Sequence, residues 1–255
     1  MKDVKFKICF ISHEDAEILT KTLFYNLKAL VGTEHKYNYE TIILSSDSSR
    51  ENDLNILALA KQYQIDEVRI RNRKKSLKYK GDPSNESHMS ILSTNADYLI
   101  VIESDVILFK KESDFDLLKE IYSFFERNKD VGIAYKMSDH ECWNWKLEDV
   151  DRELEDGVRN VNRVASHFLI YNLKAFNRNL NKNGNVFNNN YTEEFNYEDK
   201  ISVESITQKK PIAFLEDWPI EVWHCDKKVS ENSGYYTKDK ELKMKMIDQF
   251  VSKFS

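Results

Sequence analysis

Over its first 138 residues the chain alternates, about four times, between segments patterned as strands and segments patterned as helices. KFKICFIS (5–12) and ETIILSS (40–46) read as apolar strands, and DEVRIRN (66–72) as a short third. After the first of these, HEDAEILTKTLFYNLKAL (13–30) repeats Ile18, Leu19, Leu23, Leu27 and Leu30 at helical spacing. Ser12 or His13 stands at its start, with Glu14 and Asp15 in the first turn. DLNILALAKQYQ (53–64), ESHMSILSTNA (86–96) and FDLLKEIYSFFERN (115–128) read as further helices, and VGIAYKMS (131–138) as a strand. Such alternation predicts an α/β fold with a central, mostly parallel sheet flanked by helices. Ligands of such sheets gather at the carboxyl ends of the strands.

The stretch YLIVIESDVILF (98–109) is read as one strong strand, and it breaks its own pattern. Nine of its twelve residues are apolar, yet Glu103 and Asp105 interrupt it with only Ser104 between them. A carboxylate in an apolar setting is costly unless it is paired, hydrogen-bonded or bound to a cation. The pair therefore marks either a loop between two strands or a cation site. Side chains at i and i+2 of an extended segment point the same way, so both carboxylates can address one cluster. Mg²⁺ and Mn²⁺ prefer oxygen ligands, often one or two carboxylates with phosphate oxygens and water.

Past residue 138 the alternation blurs. Residues 138–160 are acidic with two tryptophans and carry no clear periodicity. VASHFLIYNLKAF (164–176) reads as a strand turning into a helix, and the Asn-rich 177–196 as loop. YEDKISVESITQ (197–208) reads as a helix, KPIAFLEDWPIEVWHC (210–225) as one or two strands, and 238–254 as a closing amphipathic helix. With 255 residues and no linker or repeat, a single domain is expected over 1–255. It divides into a first half (1–138), a second half (139–226) and a helical extension (227–255).

Net charge is −5, which argues against a general polyanion binder and leaves a local basic patch open. Three cysteines, Cys9, Cys142 and Cys225, fit neither a disulfide framework nor a zinc motif. Reduced thiols in a cytoplasmic compartment are expected. The amino terminus enters a strand with no signal-peptide pattern, and no apolar run approaches a membrane span.

Taken in order, the first strand and its polar end, the strand ending in Asp47, the E-S-D triplet and the late YED and WHCD segments resemble the GT-A glycosyltransferases, the family 2-like group in particular. The resemblance spans roughly residues 5–226. It implies a nucleotide-sugar donor, a UDP-sugar first, and Mn²⁺ or Mg²⁺. Ser12, His13 and Glu14 fall at the strand–helix junction that contacts the nucleotide, and Asp47 where a carboxylate holds base or ribose. Asn85 and His88 would line the donor site, with Ser104 beside them. Glu103 and Asp105 stand at the two acidic positions of the DxD motif, and His224 where a late His completes the metal shell. Glu198 and Asp199 match the later ED motif. Asp199 would be the base that deprotonates an acceptor hydroxyl in an inverting transfer, with Glu198 as alternate. Three departures stand out: Glu replaces the first Asp, the stretch before Asn85 lacks glycine-rich character, and QKKPI stands where processive synthases carry QxxRW. A single transfer to a glycan, a small molecule or a polyanionic polymer is the expected activity.

Each residue also has an ordinary structural use. Asp47 suits a turn or cap, and Glu198 and Asp199 suit a helix N-terminus. His224 suits a buried core position, while His13, His88, His140 and His167 rank below it as ligands. Glu216 and Asp217 form a rival acidic pair before Pro219. The basic residues 69–80 suit a solvated loop, a loop that neutralises donor phosphates, or a contact with a polyanionic acceptor. Trp143 and Trp145 suit sugar stacking or packing, and Trp218 and Trp223 the core. Two rival activities are a nucleotidyltransferase, disfavoured by the glycine-free ISHEDAEIL, and a non-catalytic nucleotide- or glycan-binding module.

Overall fold

The computed structural model describes residues 4–13, 15–31, 37–46, 48–71, 91–92, 94–137, 154–176, 197–225 and 239–254. The apolar KFKICFIS becomes β1 (Lys5–Ser12), buried along nearly its whole length. Burial on both faces is the signature of an inner parallel strand. β2 (Asn38–Ser46) pairs parallel on one side of β1 and β4 (Tyr98–Glu103) on the other. β3 (Glu67–Arg71) extends the parallel run beyond β2. Helix α1 (Ala16–Val31) turns Ile18, Leu19, Leu23 and Leu30 inward. Helix α2 (Arg50–Gln62) begins at Ser49, whose side chain accepts from Asn52 N. Helix α3 (Leu117–Arg127) begins at Asp116, which accepts from Lys119 N, and buries Leu117, Leu118, Ile121, Phe124 and Phe125. Each such side chain contributes about 1.5–3 kcal/mol by leaving water.

The stretch 98–109 is not one strand. β4 stops at Glu103, and β5 (Val106–Lys110) leaves for a separate two-stranded sheet with β10 (Ile220–His224). The α1 side chain of Asn26 stands where another strand would: its Nδ2 donates to Val106 O and its Oδ1 accepts from Leu108 N, both at 2.8 Å. Buried backbone groups need such partners, and here a helix residue supplies them.

The large sheet runs β3-β2-β1-β4-β8-β6-β9-β7. β8 (Phe168–Asn172) is antiparallel to both β4 and β6 (Ile133–Tyr135). β9 (Ile212–Leu215) restores the parallel direction against β6, and β7 (Val158–Val161) closes the edge antiparallel to β9. One sheet thus draws strands from residue 5 to residue 215. β7 lies in the acidic segment that shows no strand periodicity; a four-residue edge strand is too short to display one. The helix expected after β8 is instead a turn, with Phe176 N bonded to Asn172 O and Ala175 N to the Asn172 side chain. Helices α4 (Tyr197–Thr207) and α5 (Lys240–Phe254) complete the described elements. None of the described helices is long and apolar enough to cross a membrane.

Asn26→Leu keeps the number and branching of the side-chain heavy atoms and leaves two buried backbone groups of β5 unpaired. Loss of about 2–4 kcal/mol in a denaturant titration is expected; a variant as stable as the parent would show that the β5 groups find other partners.

Candidate active site

The strand directions bring three chain segments to one point. β1 and β4 end side by side, with Ile11 opposite Glu103. β8 runs the other way and begins there, so Glu103 N donates to His167 O at 3.0 Å. β10 ends there too, with His224 opposite Val106 and Cys225 N bonded to Asp105 O at 2.7 Å. This is the carboxyl edge of the parallel strands, where ligands of open α/β sheets collect.

The E-S-D turn is held by backbone and side chain alike. Ser104 N donates to Ile11 O at 2.9 Å, and Thr22 Oγ1 of α1 donates to Ser104 O at 2.6 Å. Ser104 Oγ donates to Asp15, whose other oxygen accepts from Ser12 Oγ at 2.6 Å and His13 N at 2.9 Å. Asp15 therefore binds the end of β1 to the turn, and its main-chain carbonyl starts α1 by accepting from Ile18 N and Leu19 N. Burial raises its pKa, with Asp105 adding to the effect while the Ser104 and Ser12 hydroxyls oppose it.

The side chains of Glu103, His167 and His224 offer ligand atoms within 4.8 Å of one another. His167 Nδ1 lies 2.8 Å from Glu103 Oε2, and Ser166 Oγ donates to Glu103 Oε1 at 3.1 Å. The rings of His167 and His224 stack at 3.8 Å. Burial opposes charge on His167, but the Glu103 carboxylate against it outweighs burial and raises its pKa to about 9. Asp105 stands beside this cluster: its Oδ2 is 3.4 Å from His224 Nε2 and 2.5 Å from Lys243 Nζ on α5. Burial works against the ionised form of Asp105, yet His224 and Lys243 together hold its pKa well below the usual carboxylate range. Ligands about 2.0–2.2 Å from one ion stand about 3 Å apart across an octahedral edge. The Asp105–His224 spacing is close to that, and carboxylates with imidazoles can hold a divalent cation.

Of the residues expected from sequence, the fold brings together Ser12, Glu103, Ser104, Asp105 and His224 through Asp15 and His167. His13 faces the end of β2, its Nδ1 2.5 Å from Ser46 Oγ. Glu198, at the start of α4, accepts from Ser166 N at 2.7 Å and lies 3.7 Å from Arg163. Asp199 follows it in the first turn of α4. Glu14, Asp47, Asn85, His88 and the Asp199 side chain lie outside the described residues, as do His140, Trp143, Trp145 and 72–80 of the basic segment. The rival acidic residues serve elsewhere. Glu216 pairs with Arg159 at 2.5 Å, and Asp217 packs against Gly157, whose φ of +73° and lack of a side chain admit it. Trp218 and Trp223 pack in hydrophobic clusters, and Cys9 and Cys225 are buried free thiols.

Asp15, His167 and Lys243 carry much of the geometry, though the sequence marks Asp15 only as a first-turn acid and His167 only as a lesser ligand candidate. His167 was ranked below His224, although it directly precedes the apolar strand FLIYN, a visible signal of a strand-entry position. Lys243 gives no local signal, lying 138 residues from its partner.

No protein-family model matches the chain, and no curated protein matches it in sequence. Solved structures match it in fold. GalNAc-T7 with UDP, GalNAc and Mn²⁺ superposes with a TM-score of 0.59 at 13% identity, over 88% of this chain and 44% of that one. The galactosyltransferase LgtC with donor and acceptor sugar analogues gives 0.52 at 12% identity, over 95% of both chains. TarS of S. aureus gives 0.51 at 12% identity, over 85% of this chain and 36% of TarS. The chain has a GT-A fold. It spans 36% of TarS and 56% of the Pyrobaculum calidifontis mannosyltransferase PcManGT, and 95% of LgtC. The E-S-D turn sits at the carboxyl end of an inner strand of the large sheet, where ligands of open α/β sheets collect.

Asp15→Ala removes the acceptor shared by Ser12, His13 and Ser104, while Asp15→Asn retains one carbonyl oxygen. Urea titrations are expected to rank the parent above Asp15→Asn and that above Asp15→Ala, with the alanine variant about 2–4 kcal/mol below the parent. Equal stability of all three would remove Asp15 from the support of the turn.

Proposed function

We propose that the chain is a glycosyltransferase that moves one sugar from a nucleotide-sugar, a UDP-sugar first, to an acceptor hydroxyl. The observation that carries this reading is the convergence of Glu103, His167 and His224 within 4.8 Å, with Asp105 beside them, at the carboxyl edge of a GT-A sheet. The neighbours support it: PcManGT was captured with GDP-Man and Mn²⁺, and GalNAc-T7 with UDP, GalNAc and Mn²⁺.

In this reading Glu103, Asp105 and His224 hold a divalent cation, and His167, once it gives up a ring proton to solvent, adds a further ligand. The two imidazoles favour Mn²⁺ over Mg²⁺, which demands oxygen. When bound, the cation supplies Lewis-acid stabilisation of the departing diphosphate. Ser12, His13, Glu14 and Asp47 bind the nucleoside at the ends of β1 and β2, and Asn85, His88 and Ser104 line the donor. Glu198, engaged by Ser166 N and facing Arg163, orients the start of α4. Asp199 beside it takes the proton of the acceptor hydroxyl as that oxygen displaces the diphosphate from the opposite side of the sugar carbon, in a single inverting transfer.

A thermal-shift series with UDP, GDP, CMP, dTDP and ADP, each with and without Mn²⁺, tests the donor site. UDP with Mn²⁺ is expected to stabilise the protein, by about 2.7 kcal/mol at a hundredfold excess over Kd. Asp105→Ala should abolish the shift measured from its own baseline. Asp199→Asn should keep the shift and lower turnover by about 10²–10⁴-fold, the range of a lost general base. No shift with any nucleotide would return Glu103 and Asp105 to a structural turn.

A further inference from the structure

We infer that Lys243 is the internal counter-ion of the cation site and that a divalent ion displaces it from Asp105. This rests on the proposed metal-assisted reading and goes beyond it, since it assigns a function to the C-terminal helix.

One atom lies at the centre of the inference. Asp105 Oδ2 is the carboxylate oxygen nearest His224 Nε2, at 3.4 Å, and it is also the oxygen taken by Lys243 Nζ, at 2.5 Å. An ion held between Asp105 and His224 needs that oxygen, and it brings two positive charges next to an ammonium. The Lys243 side chain is 14% exposed and that of Asp105 8%, so water screens the repulsion little. The ammonium and the ion therefore exclude each other at Oδ2.

The helix delivers Lys243 and also permits it to leave. Ile247 and Phe250 lie four and seven residues further on, on the same face, and pack in a small apolar cluster with Ile18, Ile107 and Cys225. Trp223 packs at a tilt against Phe250 with ring centroids 4.8 Å apart, and Lys21 pairs with Asp248 at 2.6 Å. Helix α5 is thus docked by contacts that do not involve the ammonium. Lysine's charge sits on a flexible four-carbon stem, so Nζ can swing away while the helix stays. Without a cation, Lys243 keeps a buried carboxylate from standing alone, which would be strongly destabilising. With a cation, it is released next to the place where a donor diphosphate would lie.

Calorimetric titration of Mn²⁺ into the parent and into Lys243→Met, without nucleotide, tests the competition. Removing the competing state raises apparent affinity by the inverse of the competent fraction, so Lys243→Met is expected to bind Mn²⁺ about tenfold tighter or more. Amine acetylation of the parent, read by mass spectrometry, provides a readout that needs no variant to fold. Mn²⁺ should increase labelling of Lys243 relative to Lys253. Unchanged or weaker Mn²⁺ affinity in Lys243→Met, or labelling that Mn²⁺ leaves unchanged or reduces, would overturn the inference and leave the metal reading standing. No Mn²⁺ binding in either protein would overturn both.

Discussion

The structure turns on Ser104. Its amide is bonded to β1, its carbonyl to α1 and its hydroxyl to Asp15. Those three bonds stop β4, redirect the chain into a second sheet and leave Glu103 and Asp105 on either side of a fixed point. A serine is small enough to sit there and offers one donor and one acceptor beyond the main chain. Everything at the site is placed relative to it: His167 because it precedes β8, which begins opposite Ile102, and His224 because β10 ends opposite Val106.

The cluster is also an electrostatic arrangement. Glu103, Asp105 and Glu198 bring three carboxylates into a confined region, and His167, Lys243 and Arg163 face them. Buried carboxylates persist only when paired or bonded in this way. Against burial in both cases, Glu103 raises the pKa of His167, and His224 and Lys243 lower that of Asp105.

Much of the fold was legible because its strong elements are local. β1 and β2 are apolar runs of strand length, and α1 and α3 repeat apolar residues at helical spacing. The triplet at 103–105 was legible as an anomaly, since two carboxylates interrupt an apolar run. What stayed hidden depends on distant partners. β7 is too short for a period, and the helix expected after β8 gave way to a turn closed by Asn172. The break within 98–109 depends on Thr22 and Asn26 of α1 and on Asp15 just before it, all about 80 or more residues earlier. The sequence shows His167 at the entry to a strand but not the antiparallel direction that brings it to Glu103, and it shows nothing of the helix docking that brings Lys243 to Asp105.

The most direct test of the central claim is anomalous diffraction at the manganese edge from crystals grown with UDP and Mn²⁺. The account predicts one strong peak bounded by Asp105 Oδ2, His224 Nε2 and Glu103, touching the diphosphate. UDP bound elsewhere, or bound at this edge of the sheet with no peak beside the E-S-D turn, would contradict it.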